Sequence, residues 1–159
     1  MRKLADQYPW CRDDLSMFDD GGHLSGWREV MSRLLASIEK RYKEHGLEIS
    51  EDRFSVRQVK EKFGALRVYV NCRVDVEDLR QVAESESLKT CMSCGKQGAM
   101  VVSGGWFHVV CDQHRERGDL DPGEYLRRCE ERERRGARYS PHGVLASDTM
   151  RRLSRRAHA

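Results

Sequence analysis

The clearest pattern along the chain is a stripe of large apolar residues at helical spacing. Trp27, Val30, Met31, Leu34, Leu35, Ile38 and Tyr42 fall at i, i+3, i+4, i+7, i+8, i+11 and i+15. That spacing puts all seven on one side of an α-helix and leaves the charged residues between them on the other. Ser25 is placed to cap its start. Lys40, Arg41, Lys43 and His45 crowd the last turn and Gly46 follows it, as helix ends favour. Ahead of the helix, Met1 to Gly26 read as an irregular lead-in. "YPWC" and "DDGG" are turn-rich, and the aromatic pair Tyr8 and Trp10 is expected to fold back on the body.

Beyond the helix the period drops to two. Leu66, Val68 and Val70 alternate with Arg67, Tyr69 and Asn71, the pattern of a half-buried strand, and Phe54 and Val56 begin the same alternation upstream. The two strands form a hairpin with its turn near Phe63-Gly64. A second helix is predicted over Val76 to Ser87, with Asp75 as cap, Asp78 three residues on, and Val76, Leu79, Val82 and Ala83 along one face. A shorter hairpin turning at Gly104-Gly105 comes next, then a helix opened by Asp121-Pro122. This last helix has only Tyr125, Leu126 and Cys129 as an apolar patch. With i,i+4 pairs such as Glu130 with Arg134 over the rest, it is expected to project into water. From Gly136 apolar residues are scarce, which predicts a mobile tail.

Composition tightens this picture. Charged residues make up 35% of the 159 and hydrophobic ones 38%, against roughly 25% charged in an average globular protein. A core is possible but small, so a metal staple would help it. Apolar runs stay short of a membrane span or a secretory signal, which points to the cytoplasm and to six Cys that are mostly reduced. The net charge of +3 is unevenly placed. Up to His114 there are 17 basic and 18 acidic residues; from Arg115 there are 12 Arg, no Lys and 8 acidic residues. The nearly neutral body excludes an acidic mimic of DNA, and the basic end permits contact with nucleic acid.

The chemistry-bearing stretch is "TCMSCGKQGAMVVSGGWFHVVCDQHR". Cys91-x-x-Cys94 and Cys111-x-x-His114 are two knuckles sixteen residues apart. A Cys-x-x-Cys turn points two thiolates at one ion, and Gly95 lets the backbone turn directly after it. The gap between the knuckles accommodates two short strands and a turn, as in a zinc ribbon. Four good ligands in paired knuckles, with no HExxH or His-x-Glu beside them, predict one structural Zn²⁺ rather than a catalytic one. His108 is a spare imidazole, read as a surface residue or a neighbour of the site. Cys11, Cys72 and Cys129 read as small apolar residues and not as nucleophiles. The fold class expected is therefore α+β: a helix–hairpin–helix core at 1–89, a zinc ribbon at 90–120, a C-terminal helix at 121–135 and a basic tail at 136–159.

Gly26-Trp27 before a helix, "VKEKFGALRVYV" as a hairpin, and knuckles behind a second helix occur in that order. This arrangement resembles a group of small uncharacterised proteins frequent in phage and prophage genomes, which carry Gly-Trp, Lys-Glu-Lys-Phe-Gly-x-Leu-Arg-x-Tyr and a zinc knuckle pair. The likeness covers roughly Gly26 to His114 and is most specific from Lys60 to Tyr69. Here the second knuckle ends in His where the group has Cys. The resemblance implies a phage or mobile-element setting and supplies no biochemical activity.

Among functions, the leading expectation is a non-enzymatic protein that binds a host or phage macromolecule stoichiometrically. One concrete form is an inhibitor of a host defence system, of the anti-CRISPR kind. Its expected surface is the outward hairpin face of Lys60, Lys62, Arg67 and Tyr69, with Trp106 beside it. The alternative is a nucleic-acid-binding transcriptional or replication regulator. It would use a short basic helix capped at Ser147-Asp148, with Arg151, Arg152, Arg155 and Arg156 on phosphates. A third reading, a nuclease of the His-Asn-His type, fails on residues, because only His108 stands near the knuckles.

Overall fold

The apolar stripe is the axis of the molecule. In the computed structural model, which describes residues 3–11 and 15–135, a short helix α1 (Leu4–Gln7) and two 3-10 turns (Ser16–Phe18 and Ser25–Trp27) lead into α2 (Arg28–Glu44). All seven stripe residues are buried, none more than 3% exposed. Burying side chains of this size contributes about 1.5–3 kcal/mol each. Ser25 does not cap α2. The chain enters the helix through the 3-10 turn, and the Ser25 hydroxyl donates instead to the Ser93 carbonyl at 3.3 Å.

The lead-in is more integrated than its lack of period suggests. Leu4, Cys11, Leu15, Phe18 and Leu24 are all buried in the same core as α2. The Asp19 carboxylate accepts from the Leu4 amide at 3.1 Å and from the buried Arg28 guanidinium at 2.5 Å, which ties the lead-in to the start of α2. Tyr8 and Trp10 do fold back: the Tyr8 hydroxyl lies 2.8 Å from the Ser32 carbonyl, and Trp10 packs edge-on against Phe54 at 5.0 Å.

β1 (Phe54–Lys62) and β2 (Ala65–Cys72) form the predicted antiparallel hairpin. Strict alternation from Phe54 and Val56 would turn Gln58, Lys60 and Lys62 into the core. A bulge between Val56 and Gln58 switches the parity, so that Lys60 pairs with Arg67 and Gln58 with Tyr69 on the outer side. At the open end of the hairpin the buried Tyr42 hydroxyl donates to the Arg53 carbonyl (2.7 Å) and accepts from the Arg73 amide (2.9 Å). At the closed end Phe63 and Gly64 both have positive φ, 55° and 76°, as a two-residue hairpin turn requires.

α3 (Glu77–Ser87) starts one residue later than predicted, with the Asp75 carboxylate accepting from the Glu77 amide at 3.0 Å. It lies along the outer edge of β2 and satisfies it. The buried Ser87 hydroxyl accepts from the Leu66 amide at 2.9 Å, and Arg80 donates to the Val68 carbonyl at 2.7 Å. An open sheet edge is thereby covered by side chains instead of a third strand. Val76 and Ala83 face the core and Leu79 packs against it, but Val82 is 57% exposed and does not belong to the buried face.

The second hairpin, β3 (Ala99–Ser103) and β4 (Trp106–Val110), turns at Gly104-Gly105 as expected. Leu120 adds a bridge to Val102 on its edge. α4 (Pro122–Arg134) follows. It does not simply project into water, because Tyr125 and Leu126 join Val102, Phe107, Phe63 and Met100 in a small second core. Its ion pairs, among the described residues, run from Glu124 to Arg127 and Arg128, and not between Glu130 and Arg134. Among the described residues no helix is long and apolar enough to cross a membrane. The expected tail at 136–159 lies outside the described residues.

Candidate metal centre

The two knuckles meet. Cys91, Cys94, Cys111 and His114 each bring one ligand atom into a group whose members all lie within 4.8 Å of one another. Cys94 Sγ is 3.6 Å from Cys111 Sγ, Cys111 Sγ is 3.2 Å from His114 Nδ1, and Cys91 Sγ is 3.7 Å from that same nitrogen. A tetrahedral ion with bonds of about 2.3 Å to sulfur and 2.0–2.1 Å to nitrogen needs donor separations of about 3.8 Å (S to S) and 3.6 Å (S to N). The donors therefore already stand near the corners such an ion requires. His108 is not part of the group; it sits half-buried on β4, paired with Val101.

Backbone bonds explain why the donors converge. In the first knuckle the Gly95 amide donates to the Cys91 carbonyl (2.9 Å) and the Cys91 amide to the Lys96 carbonyl (2.7 Å), with Gly95 at φ +75°. In the second, a 3-10 turn over Asp112–His114 closes with the His114 amide on the Cys111 carbonyl at 2.9 Å. β3 and β4 set the distance between the knuckles, and the Met92 amide donates to the Val109 carbonyl at 2.9 Å to hold the first against β4.

Electrostatics prepare one thiol in particular. The hydrogen bond from His114, helped by Cys94 and the Gln113 amide and opposed by burial, lowers the Cys111 thiol to about 6. Cys94 behaves differently. The Lys96 amide pulls its thiol down, but burial and the neighbouring Cys111 and Cys91 sulfurs outweigh that and leave it raised. Thiols this close cannot all ionise without a cation between them, which is the charge state a metal ion relieves.

The site is built onto the core and not appended to it. The Gly26 amide donates to the Met92 carbonyl at 2.9 Å, inside the first knuckle, and the Trp27 indole N–H donates to the Thr90 carbonyl at 2.8 Å. A Cβ at Gly26 would lie 2.2 Å from the Cys91 carbonyl oxygen and 2.7 Å from the Cys94 nitrogen. The Gly-Trp pair at the head of α2 is thus the seat of the first knuckle. Periodicity marked Trp27 as core but said nothing of this second duty.

The other expected site residues are scattered by role. Lys60, Lys62 and Tyr69 do occupy the outer face of the first hairpin, and Tyr69 is 38% exposed. Lys60 lies over its ring at 4.9 Å and Arg80 at 5.7 Å. Trp106, 72% exposed, stands at the turn of the second hairpin. Arg67 departs from the expectation. It is ion-paired with Glu84 of α3, its Nε is buried, and it serves the fold more than a free surface. Cys11 is buried in the core; Cys72 and Cys129 are half-buried. Arg151, Arg152, Arg155 and Arg156 lie outside the described residues. Compared with protein-family models, curated proteins and solved structures, the chain finds no match.

Proposed function

We propose that this is a non-enzymatic binding protein, stapled by one structural zinc ion, that acts by stoichiometric contact with a macromolecule. The observation carrying the reading is the clustered donor set: three thiols and one imidazole within 4.8 Å of one another. Such soft donors select zinc over magnesium or calcium. Four protein ligands leave no position for the water or substrate that a catalytic zinc needs. The chemistry zinc supplies here is to hold four ligands together; the chain's own residues do the rest. The Met92 and Thr90 carbonyls beside Cys91 and Cys94 anchor the first knuckle to Gly26 and Trp27, while Cys111 and His114 fix the end of β4.

What a stapled fold of this kind offers a partner is its displayed side chains. Trp106 and Tyr69 are the exposed large aromatics of the two hairpins, and such residues anchor protein interfaces more often than most. A host or phage protein complex in the bacterial cytoplasm is the partner this reading favours. The narrower form, an inhibitor of a host defence system, rests on the phage-type resemblance.

Elemental analysis and native mass spectrometry test the reading together. Purified protein should carry about one zinc per chain, and protein recovered from its bacterial host should hold a partner in fixed ratio. Folded protein free of zinc, or turnover of a substrate at the metal, would overturn it.

A further inference from the structure

We infer that the outer face of the first hairpin, presented by Gln58, Lys60, Lys62 and Tyr69, docks an acidic, Asp/Glu-rich segment of a protein partner. The inference rests on the binding function proposed above and names the chemistry of what is bound. Charge complementarity carries it. Residues 54–72 hold four basic side chains and one acidic one. The one acid, Glu61, is used within the fold, its carboxylate accepting from the Gly64 amide in the turn. Of the four bases, Arg67 is spent on Glu84. Elsewhere on the surface Lys40, Lys43, Arg33, Arg41 and Arg80 each have a carboxylate partner. Among the described residues Lys60 and Lys62 have none, and Arg57 of the same hairpin also shows none and extends the positive face. Lys60 donates to the Gln58 amide oxygen at 3.1 Å and lies over Tyr69, and Lys62 lies over Phe63 at 5.6 Å.

The parity switch at the bulge is what makes this a face. Without it both lysines would point at the core, so the chain departs from plain alternation in a way that displays two ammonium groups and a phenol side by side. Such a surface also suggests a nucleic-acid strand, and geometry argues against that. A single strand is gripped by bases stacking on aromatic faces. The Tyr69 ring is already engaged by Lys60 and Arg80. With that ring taken, the face offers a partner the cations around it, and these suit carboxylates.

Fluorescence anisotropy with a labelled Asp/Glu peptide tests the face directly, using the full chain loaded with zinc. K60E/K62E should weaken binding about tenfold or more, since like charge replaces complementary charge. K40E/K43E, an equal charge change on α2, should leave it within about twofold. Equal weakening by both variants means bulk charge alone and overturns the inference. So does competition in which single-stranded DNA displaces the peptide and K60E/K62E abolishes the DNA binding, since the occupant is then nucleic acid. A wild-type protein that ignores the peptide yet retains a fixed-ratio cellular partner, undiminished by K60E/K62E, defeats only this face. A wild-type protein that holds no partner at all defeats the binding reading with it.

Discussion

Replacing Gly26 by alanine isolates the coupling between the metal site and the core. The backbone of Gly26 is not in the left-handed region, so alanine is conformationally acceptable there and the effect is steric. The added Cβ would sit 2.2 Å from the Cys91 oxygen, 2.6 Å from the Met92 carbonyl carbon and 2.7 Å from the Cys94 nitrogen. All three are backbone atoms of the knuckle, and none can swing aside as a side chain would. Restoring contacts of about 3.5 Å means moving the knuckle by about 1 Å. Zinc tolerates departures of only about 0.2 Å in its bonds. On the proposed reading, the knuckle therefore cannot retreat and still share an ion with Cys111 and His114. If instead the head of α2 retreats, the bonds from Gly26 to Met92 and from Trp27 to Thr90 are lost.

Either path adds overpacking strain to lost hydrogen bonds, for a cost of about 2–4 kcal/mol. Thermal melts with and without chelator, and zinc affinity by competition with a chromophoric chelator, read the two parts. Gly26→Ala should bind zinc more weakly and melt lower, and its penalty should shrink in the chelated protein, where the knuckle is free to shift. Gly46→Ala is the control. Its φ is +65° and nothing lies within 4 Å, so it should cost about 1–2 kcal/mol of backbone strain and leave the metal untouched. Wild-type zinc affinity and melting temperature in Gly26→Ala would refute the coupling.

Five further substitutions probe the rest of the fold. Trp27→Ala and Leu34→Ala remove buried volume from the α2 stripe and should each cost about 2–5 kcal/mol in chemical denaturation; an unchanged midpoint for either means that the wrong face is taken as core. Arg67→Glu puts like charge against Glu84, whose side chain is 12% exposed, and should destabilise by about 3–5 kcal/mol, whereas Lys62→Glu should leave the melt unchanged; equal behaviour of the two defeats the distinction drawn between them. Asp78 is held below the ordinary aspartate range, chiefly by its hydrogen bond from Arg41. Its contribution is therefore complete above that range and fades as pH falls through its lowered value, and Asp78→Asn should flatten that part of an acid titration followed by circular dichroism.

How much of this was readable from the chain depends on how local each cause is. The α2 stripe and the β2 alternation are repeated features of one segment, and both elements formed as their periods required. The knuckles were readable for the same reason, since coordination chemistry fixes ligand type and spacing within a few residues. The lead-in was not: Leu4, Cys11, Leu15, Phe18 and Leu24 reach the core from turns, and turns impose no period. Nor was the pairing of Arg67 with Glu84, since alternation marks Arg67 as outward but α3 meets it from the side. The seat of the first knuckle spans 63 residues from Trp27 to Thr90, and no spacing rule reaches across that distance.

The first hairpin joins these parts. Its open end is pinned to α2 by the Tyr42 hydroxyl, which bridges the Arg53 carbonyl and the Arg73 amide. Its turn rests on the ribbon, where Phe63 meets Phe107 edge-on at 6.0 Å and a Cβ at Gly64 would stand 3.1 Å from the Met100 side chain. Phe63 holds a positive φ there, a conformation that costs a non-glycine residue about 1–3 kcal/mol and survives only where its surroundings fix it. The main core thus sets one end of the hairpin and the ribbon the other. If the four donors hold a metal, its removal frees the knuckles that frame β3 and β4, and with them the platform under Phe63. On the proposed reading, the lysines of the displayed face are positioned by zinc even though neither touches it, so chelation should weaken capture of the acidic peptide by the intact chain. Peptide binding that survives complete removal of zinc would separate the face from the staple and show that the hairpin holds its form from the core alone.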